Sequence, residues 1–165
     1  MAEKEVYVCE SLEWLGETMD DVKSGDTSSN NAGKSRKDIA VDFLRLIGSG
    51  KPKAGLRYFA PNCTTHNPYV EGGMDALTDA MVQVQEKGAE GIIEGSHAEF
   101  ELIIRHVLAE KGLVAVHTQL CSSNPNEGGL RQVHLFRFEG DLIVEYWDIT
   151  QLVAQNAPNA AAAFS

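Results

Sequence analysis

The second half of the chain is dominated by four strand-length runs of β-branched and aromatic residues. They cover residues 100–108, 113–121, 130–138 and 142–152. Short turns that contain glycine join the first run to the second and the third to the fourth, so both pairs are predicted hairpins. A longer polar loop connects the two hairpins. Four consecutive strands joined in this way predict an antiparallel sheet.

The residues before these strands carry helical periodicity instead. Ser35 and Asp38 form a capping signature, and the helix that follows has one apolar face. This face carries Ile39, Phe43, Leu46 and Ile47. Further helical segments are predicted at 54–59 and 74–87. Helices followed by antiparallel strands predict an α+β fold, in which the helices cover one face of a strongly curved sheet and enclose a pocket.

The two ends of the chain differ in composition from the middle. Residues 1–35 hold a weakly amphipathic stretch and then a Ser/Gly/Asn-rich run at 23–35. This predicts an N-terminal extension, either a docking arm or a partly ordered leader. Residues 36–156 form the predicted domain. Residues 157–165 form a C-terminal tail that is too short to add another element.

Composition restricts the classes of partner and the compartment. The chain carries 14 Lys and Arg against 24 Asp and Glu, a net charge of −10, which repels phosphate backbones and anionic lipid surfaces. We therefore expect neither a nucleic acid nor a membrane partner. The acidic N-terminal stretch lacks the apolar region of a signal peptide, which predicts a cytoplasmic protein. The cysteines Cys9, Cys63 and Cys121 have no CxxC spacing, so neither a disulfide framework nor a cysteine-only zinc site is indicated.

Histidines and one aspartate are the candidate chemical groups. His117 and His134 lie in the middle of predicted strands, and two neighbouring strands can bring them together across the sheet. His66 lies shortly before a proline, near a strand end or the rim of a pocket. Asp148 lies in the last strand, and period-two alternation places it on the same face as Tyr146. If it is buried, its pKa rises and the carboxyl group becomes a usable proton shuttle.

Each of these groups also has a purely structural interpretation. An interior histidine is commonly held by hydrogen bonds alone, and a strand-end aspartate accepts backbone hydrogen bonds. His97 and His106 have charged neighbours and are expected on a solvated face. A metal site has acceptable ligand types but scattered positions; its ligands would be His66, His117, His134 and Asp148. Motifs for dinucleotides, phosphate loops and zinc proteases are missing from the sequence, and we expect no metal and no cofactor.

Three segments occur in a specific order along the chain: THNPYVEGGMDAL at 65–77, LVAVH at 113–117 and VHLFRFEGDLIVEYWDITQ at 133–151. Together they resemble the SnoaL-like polyketide cyclase family, within the superfamily of nuclear transport factor 2 and ketosteroid isomerase. The resemblance implies a cone-shaped α+β barrel, with a curved antiparallel sheet wrapped around N-terminal helices, and a homodimer. It also implies a cofactor-free cyclase or isomerase that removes a proton next to the carbonyl group of a small hydrophobic ligand.

The resemblance also implies which residues form the site. Residues that match family positions are His66, His117, Trp147 and Asp148. Two positions depart: His134 stands where the family usually has an aspartate, and Tyr146 where it usually has a histidine.

The predicted roles follow from these matches. His134 or Asp148 is the predicted proton shuttle, because an imidazole beside a carboxylate works near pH 7. His66 and His117 are predicted to polarise the substrate oxygen. The predicted substrate-binding residues are Tyr146, Trp147, Phe136 and Asn67. Because the usual aspartate is missing, the alternative is a non-catalytic module of the same fold that binds a small molecule or forms a dimeric interaction.

Overall fold

The computed structural model describes residues 33–87, 99–124 and 128–163. In chain order the elements are helix α1 (Arg36–Gly48), a 3-10 helix (Pro52–Tyr58), strand β1 (Phe59–Thr65), helix α2 (Met74–Lys87), strands β2 (Phe100–Glu110), β3 (Leu113–Ser122), β4 (Gly129–Glu139) and β5 (Leu142–Val153), and helix α3 (Ala160–Ala163). The expected α+β class is confirmed.

The five strands form one curved sheet in the order β1-β5-β4-β3-β2. Strands β2 to β5 pair antiparallel, as predicted, whereas β1 pairs parallel with β5. The sheet is therefore mixed rather than purely antiparallel. In the part of the chain that is described, the edge strands β1 and β2 do not pair with each other, so the curved sheet that covers the helices is open along one side.

Strand β1 was not predicted from the sequence. The segment 54–59 was expected to be helical, and a 3-10 helix does cover most of it, but a strand begins at Phe59. Pro61 and Asn62 inside β1 weaken the strand signal. They are tolerated because β1 is an edge strand, where a missing N–H leaves no central ladder bond unmade.

Helix α1 begins where the capping signature placed it. The Asp38 N–H donates to Ser35 Oγ at 3.2 Å, and the Ser35 N–H donates to Asp38 Oδ2 at 3.0 Å. This capping box satisfies two helix-end donors and fixes the direction in which α1 enters the fold.

The core lies between α1 and the concave face of the sheet. The ring of Phe43 makes edge contacts with three other aromatic rings, at centroid distances of 4.8 Å to Phe59, 6.1 Å to Phe136 and 5.9 Å to Tyr146. Such contacts add to the free energy gained by burying the rings. The substrate-binding role predicted for Phe136 does not fit this position, because its side chain is fully buried in the core.

The C-terminal tail and the cysteines depart from the predictions. Residues 160–163 form a one-turn helix, α3, where no element was expected, and Gln119 Nε2 donates to the Ala163 carbonyl oxygen at 3.5 Å. Cys63 is a buried free thiol, and Cys121 is disulfide-bonded, which the sequence analysis did not anticipate. The predicted N-terminal arm falls mostly, and His97 entirely, outside the described residues. None of the helices described here is long and apolar enough to cross a membrane.

Gly55 allows the 3-10 helix to approach the core. A Cβ atom added there would lie 2.5 Å from Phe43 Cδ2, on a ring that is fully buried. We expect Gly55→Ala to lower the free energy of unfolding, measured by urea denaturation, by about 1–3 kcal/mol, because the ring must move.

Gly73→Ala is the matched control for this substitution. Its added Cβ would meet nothing closer than the Cys63 carbonyl oxygen at 3.9 Å, so stability should change by less than about 0.5 kcal/mol. Equal losses in the two variants would contradict the close packing of Gly55 on Phe43.

Candidate functional site

A cavity of about 810 Å³ lies between the helices and the concave face of the sheet. Its size falls in the range of roughly 300–1,000 Å³ that is usual for small-molecule sites. The wall formed by the two long helices and the neighbouring strands is mostly apolar. It includes Leu44, Ile47, Leu77, Met81, Val84 and Leu102.

Polar residues such as Gln85, Glu86, Lys87 and Glu99 also line the cavity, and the wall opposite the helices carries six polar side chains. They come from β4, β5 and the loop after β1, and they are Asn67, Gln132, His134, Tyr146, Asp148 and Thr150. Strand pairing places them side by side, since His134 is the cross-strand partner of Asp148 and Gln132 that of Thr150. A ligand in this cavity therefore meets an apolar wall on one side and hydrogen-bonding groups on the other.

In this wall, Asp148 is an ionisable residue with one oxygen atom that accepts no hydrogen bond from the described residues. Its Oδ2 accepts a hydrogen bond from Asn67 Nδ2 at 2.7 Å. Its Oδ1 is buried and has no partner among the described residues. Desolvation raises the pKa of the Asp148 carboxyl, and the Asn67 hydrogen bond opposes this rise. An unpaired oxygen on a desolvated carboxylate is well suited to take a proton from a ligand.

Asn67 is oriented by the turn in which it lies. The Tyr69 N–H donates to Asn67 Oδ1 at 2.9 Å, so the amide oxygen is engaged and the NH₂ group is directed to Asp148. An Asx turn of this kind is locally stable. The loop after β1 therefore holds the Asp148 carboxylate before any ligand arrives.

His134 is buried, and both of its ring nitrogens are engaged. Nδ1 lies 2.8 Å from the Tyr146 hydroxyl and Nε2 lies 3.1 Å from Thr118 Oγ1. Either neutral tautomer satisfies both contacts, because each hydroxyl can donate or accept. Burial lowers the pKa of His134 to about 4. A neutral ring with both nitrogens occupied holds Tyr146 in place and is a poor proton acceptor at neutral pH.

His66 and Trp147 lie on the outer face of the sheet, away from the cavity. Their rings stack at a centroid distance of 4.3 Å, and His66 Nε2 lies 3.2 Å from Glu145 Oε2. The hydrogen bond from Arg137 comes first among the causes that lower the pKa of Glu145, followed by that from His66. The oxygen-polarising role predicted for His66 and the ligand contact predicted for Trp147 do not fit this placement.

His117 also lies on the outer face, where its Nδ1 is 3.1 Å from Nδ1 of His106. His106 is exposed, in agreement with the solvated face expected for it. Desolvation is the largest cause that lowers the pKa of His117, followed by the charge of Arg131. His117 cannot polarise a ligand in the cavity from this position.

The structure thus divides the predicted residues between two faces. His134, Asp148, Tyr146 and Asn67 line the cavity, whereas His66 and His117 do not, so the expectation that all the catalytic candidates meet in one pocket is wrong for these two. The four candidate metal ligands lie on opposite sides of the sheet and cannot hold one ion. No cluster of three potential metal ligands forms among the described residues.

Gln132 and Thr150 were missed in the sequence. Gln132 Nε2 donates to Thr150 Oγ1 at 3.2 Å in the polar wall of the cavity. Each lies two residues from a predicted site residue, and side chains two apart on a strand share a face. The period-two alternation that linked Tyr146 to Asp148 was therefore a sufficient signal.

Comparison with known proteins supports the fold assignment. No family model matches the sequence, and no curated protein matches it. Among solved structures, IdmH from Streptomyces antibioticus, a proposed polyketide cyclase, superposes with a TM-score of 0.57 at 14% identity over 72% of this chain and 93% of its own. AclR from Streptomyces galilaeus, a proposed hydroxylase, gives 0.56 at 14% identity over 70% and 88%.

A third similar structure belongs to a protein that is described as NTF2-like. An NTF2-like protein of unknown function from Cytophaga hutchinsonii has a TM-score of 0.52 at 12% identity, over 71% of this chain and 90% of its own. The chain therefore has the NTF2-like fold, which the sequence resemblance implied.

Protonation of His134 should make stability depend on pH. The pKa of His134 is about 4 in the folded state, compared with its ordinary value of 6.5. Between these two pH values the unfolded chain binds more protons than the folded chain. The contribution of the neutral ring to the free energy of unfolding is therefore complete above pH 6.5 and is lost as the pH falls towards 4. Wild type should lose about 2 kcal/mol from this group between pH 7 and pH 4.5.

His134→Gln keeps a donor and an acceptor but cannot titrate. Urea denaturation at both pH values should show a loss that is smaller by about 2 kcal/mol in the variant than in wild type. Equal pH dependence in the two proteins, or an imidazole NMR titration near pH 6.5, would show that His134 is not held neutral.

Proposed function

We propose that this protein binds a small, mostly apolar carbonyl compound in the cavity and catalyses proton transfer at the carbon next to the carbonyl group. The observation that carries the proposal is the Asp148 carboxyl group, which has one oxygen fixed by Asn67 and the other buried without a partner. An apolar wall with a few polar groups opposite is the usual architecture of a site for such a ligand.

Asp148 acts as the base and then as the acid. Its Oδ1 takes the proton from the carbon, and the electron pair moves onto the carbonyl oxygen as an enolate. The amide of Gln132 and the hydroxyl of Thr150, both in the same wall, donate hydrogen bonds to that oxygen. The enolate carbon then attacks a second carbonyl group, as in a cyclase, or recovers the proton from Asp148 at another carbon, as in an isomerase.

The reaction needs the carboxyl group to be ionised but weakly solvated. Burial raises the pKa of Asp148 and thereby increases its basicity, while the Asn67 hydrogen bond favours the ionised form and opposes this rise. General base catalysis by a positioned carboxylate contributes about 10²–10⁴-fold to a rate. This division of roles leaves His134 as the residue that positions Tyr146.

A binding module without turnover is the second candidate. The sequence departs from the resembled family at His134, and the buried neutral ring at this position cannot supply the proton acceptor of the missing aspartate. If Asp148 does not replace it, the cavity binds its ligand and releases it unchanged. The experiment below separates the two functions.

The first test follows exchange of α-protons on the bicyclic ketone 2-tetralone by NMR in D₂O. Wild type should accelerate the exchange, and Asp148→Asn should reduce this acceleration by at least about 100-fold, with ligand affinity retained in a fluorescence or NMR titration. Glu145→Gln, on the outer face of the same strand, is the matched control and should exchange at the wild-type rate.

The outcomes separate the hypotheses. Exchange at the wild-type rate in Asp148→Asn would remove the carboxyl from the mechanism. Saturable binding to wild type without exchange would support the binding module instead.

The second test concerns the hydrogen bond from Asn67. In Asn67→Ala the carboxylate loses its donor, so the pKa of Asp148 should rise further. The acidic limb of the pH profile of exchange should then move to higher pH than in wild type, because the base must be deprotonated to act. An unchanged limb with a lower plateau would mean that Asn67 contacts the ligand and does not tune Asp148.

A further inference from the structure

The outer face of the sheet carries a cluster of basic side chains. Arg105 Nε donates to Gln119 Oε1 at 2.8 Å, and Arg131 is the cross-strand partner of Gln119 on its other side. His106 and His117 are paired across the adjacent strands. We call Arg105, His106, His117 and Arg131 the outer basic cluster.

One member of this cluster, Arg131, has an unsatisfied hydrogen-bond donor among the described residues. Arg131 Nε is buried and has no hydrogen-bond partner, although a buried guanidinium N–H is normally paired. The charges of Arg131, His106 and Arg105 also disfavour protonation of His117. A chain with a net charge of −10 has thus placed the unpaired N–H of Arg131 beside other basic groups on one face, and this face would attract an anionic segment.

Apolar side chains surround the cluster. Leu108 is 69% exposed, Ile149 58% and Val133 36%. Gln119 and Cys121 point to the same face, yet they are buried. The Ala163 carbonyl of helix α3 reaches Gln119, so at least one segment of the chain already lies over this face.

Residues 1–22 have the complementary chemistry. They carry seven acidic side chains and one lysine, together with the apolar residues Val6, Val8, Leu12 and Leu15. A polar stretch rich in Ser, Gly and Asn follows at 23–33 and connects this end of the chain to the domain.

The connection is long enough to reach the cluster. At the start of the domain, Arg36 Nε donates to the Gly140 carbonyl oxygen in the β4–β5 turn. Strand β4 covers about 27 Å between Arg131 and Glu139. Residues 23–33 span up to about 36 Å when extended.

Cysteine bonding gives an independent observation on the same face. The sequence has three cysteines; Cys63 is free, and Cys121 is disulfide-bonded. Within one chain, Cys9 is the remaining thiol, and it lies in the acidic segment.

We propose that residues 1–22 dock on the outer face of the sheet of their own chain, with their carboxylates on the outer basic cluster and Cys9 joined to Cys121. A second copy of the sheet fits this face less well, because face-to-face packing would bring two basic clusters together. Bond formation converts two thiols into one disulfide; oxidised glutathione accepts the two electrons and two protons and leaves as two glutathione thiols.

The test measures the effective concentration of Cys9 relative to Cys121 in the full chain. Reduced protein is equilibrated with glutathione redox buffers and digested with trypsin, and the linked peptides are quantified by mass spectrometry. They are 5–23 with 112–131 in wild type, and 5–23 with 112–137 in Arg131→Glu, where trypsin no longer cuts at position 131. Docking should make the effective concentration in wild type at least tenfold higher than the value measured in the Arg131→Glu variant. Arg45→Glu, which changes an exposed arginine of α1, should behave like wild type.

A second measurement on wild type does not depend on the variant folding. Raising the salt concentration from about 0.05 to 0.5 M should lower the effective concentration, because the attraction is electrostatic. The proposal is overturned if no linked peptide forms, or if neither the variant nor salt changes the value. Linked peptides found only in covalent dimers would also overturn it and assign the face to a second copy.

Discussion

The hydrogen bond between Asn67 and Asp148 connects the fold to the chemistry of the site. It joins the loop after β1 to the inner face of β5, and it leaves the other carboxylate oxygen buried without a hydrogen-bond partner among the described residues. A carboxylate buried in an apolar site is costly unless it is paired. Here the neutral amide of Asn67 and a backbone hydrogen bond compensate part of that cost, which leaves the group basic and still ionisable.

The rest of the architecture serves this arrangement. Parallel pairing of β1 with β5 brings Thr65 opposite Tyr146, so the chain leaves β1 beside the residue that it must hold. Antiparallel pairing of β4 with β5 places His134 opposite Asp148, where its hydrogen bond to Tyr146 fixes the neighbouring ring. Helices α1 and α2 complete the cavity.

Much of this could be predicted from the sequence, for identifiable reasons. The strands β2 to β5 and the capped helix α1 follow from local patterns, and alternation placed Asp148 on the same face as Tyr146. Strand β1 was missed because Pro61 and Asn62 hide an edge strand. The outward placement of His66 and His117 was missed because a residue in an apolar run can face either side of a sheet, and only the register decides which.

A direct measurement of the ionisation of Asp148 tests the central claim. The carboxyl ¹³C resonance of Asp148, assigned by its loss in Asp148→Asn, can be followed by NMR from pH 2 to pH 8. The account predicts a pKa above the ordinary value of 3.8 for this group, because burial disfavours the charged form. A pKa at or below that value would mean that the carboxylate is well solvated or strongly paired, and the proposed base would lose its physical foundation.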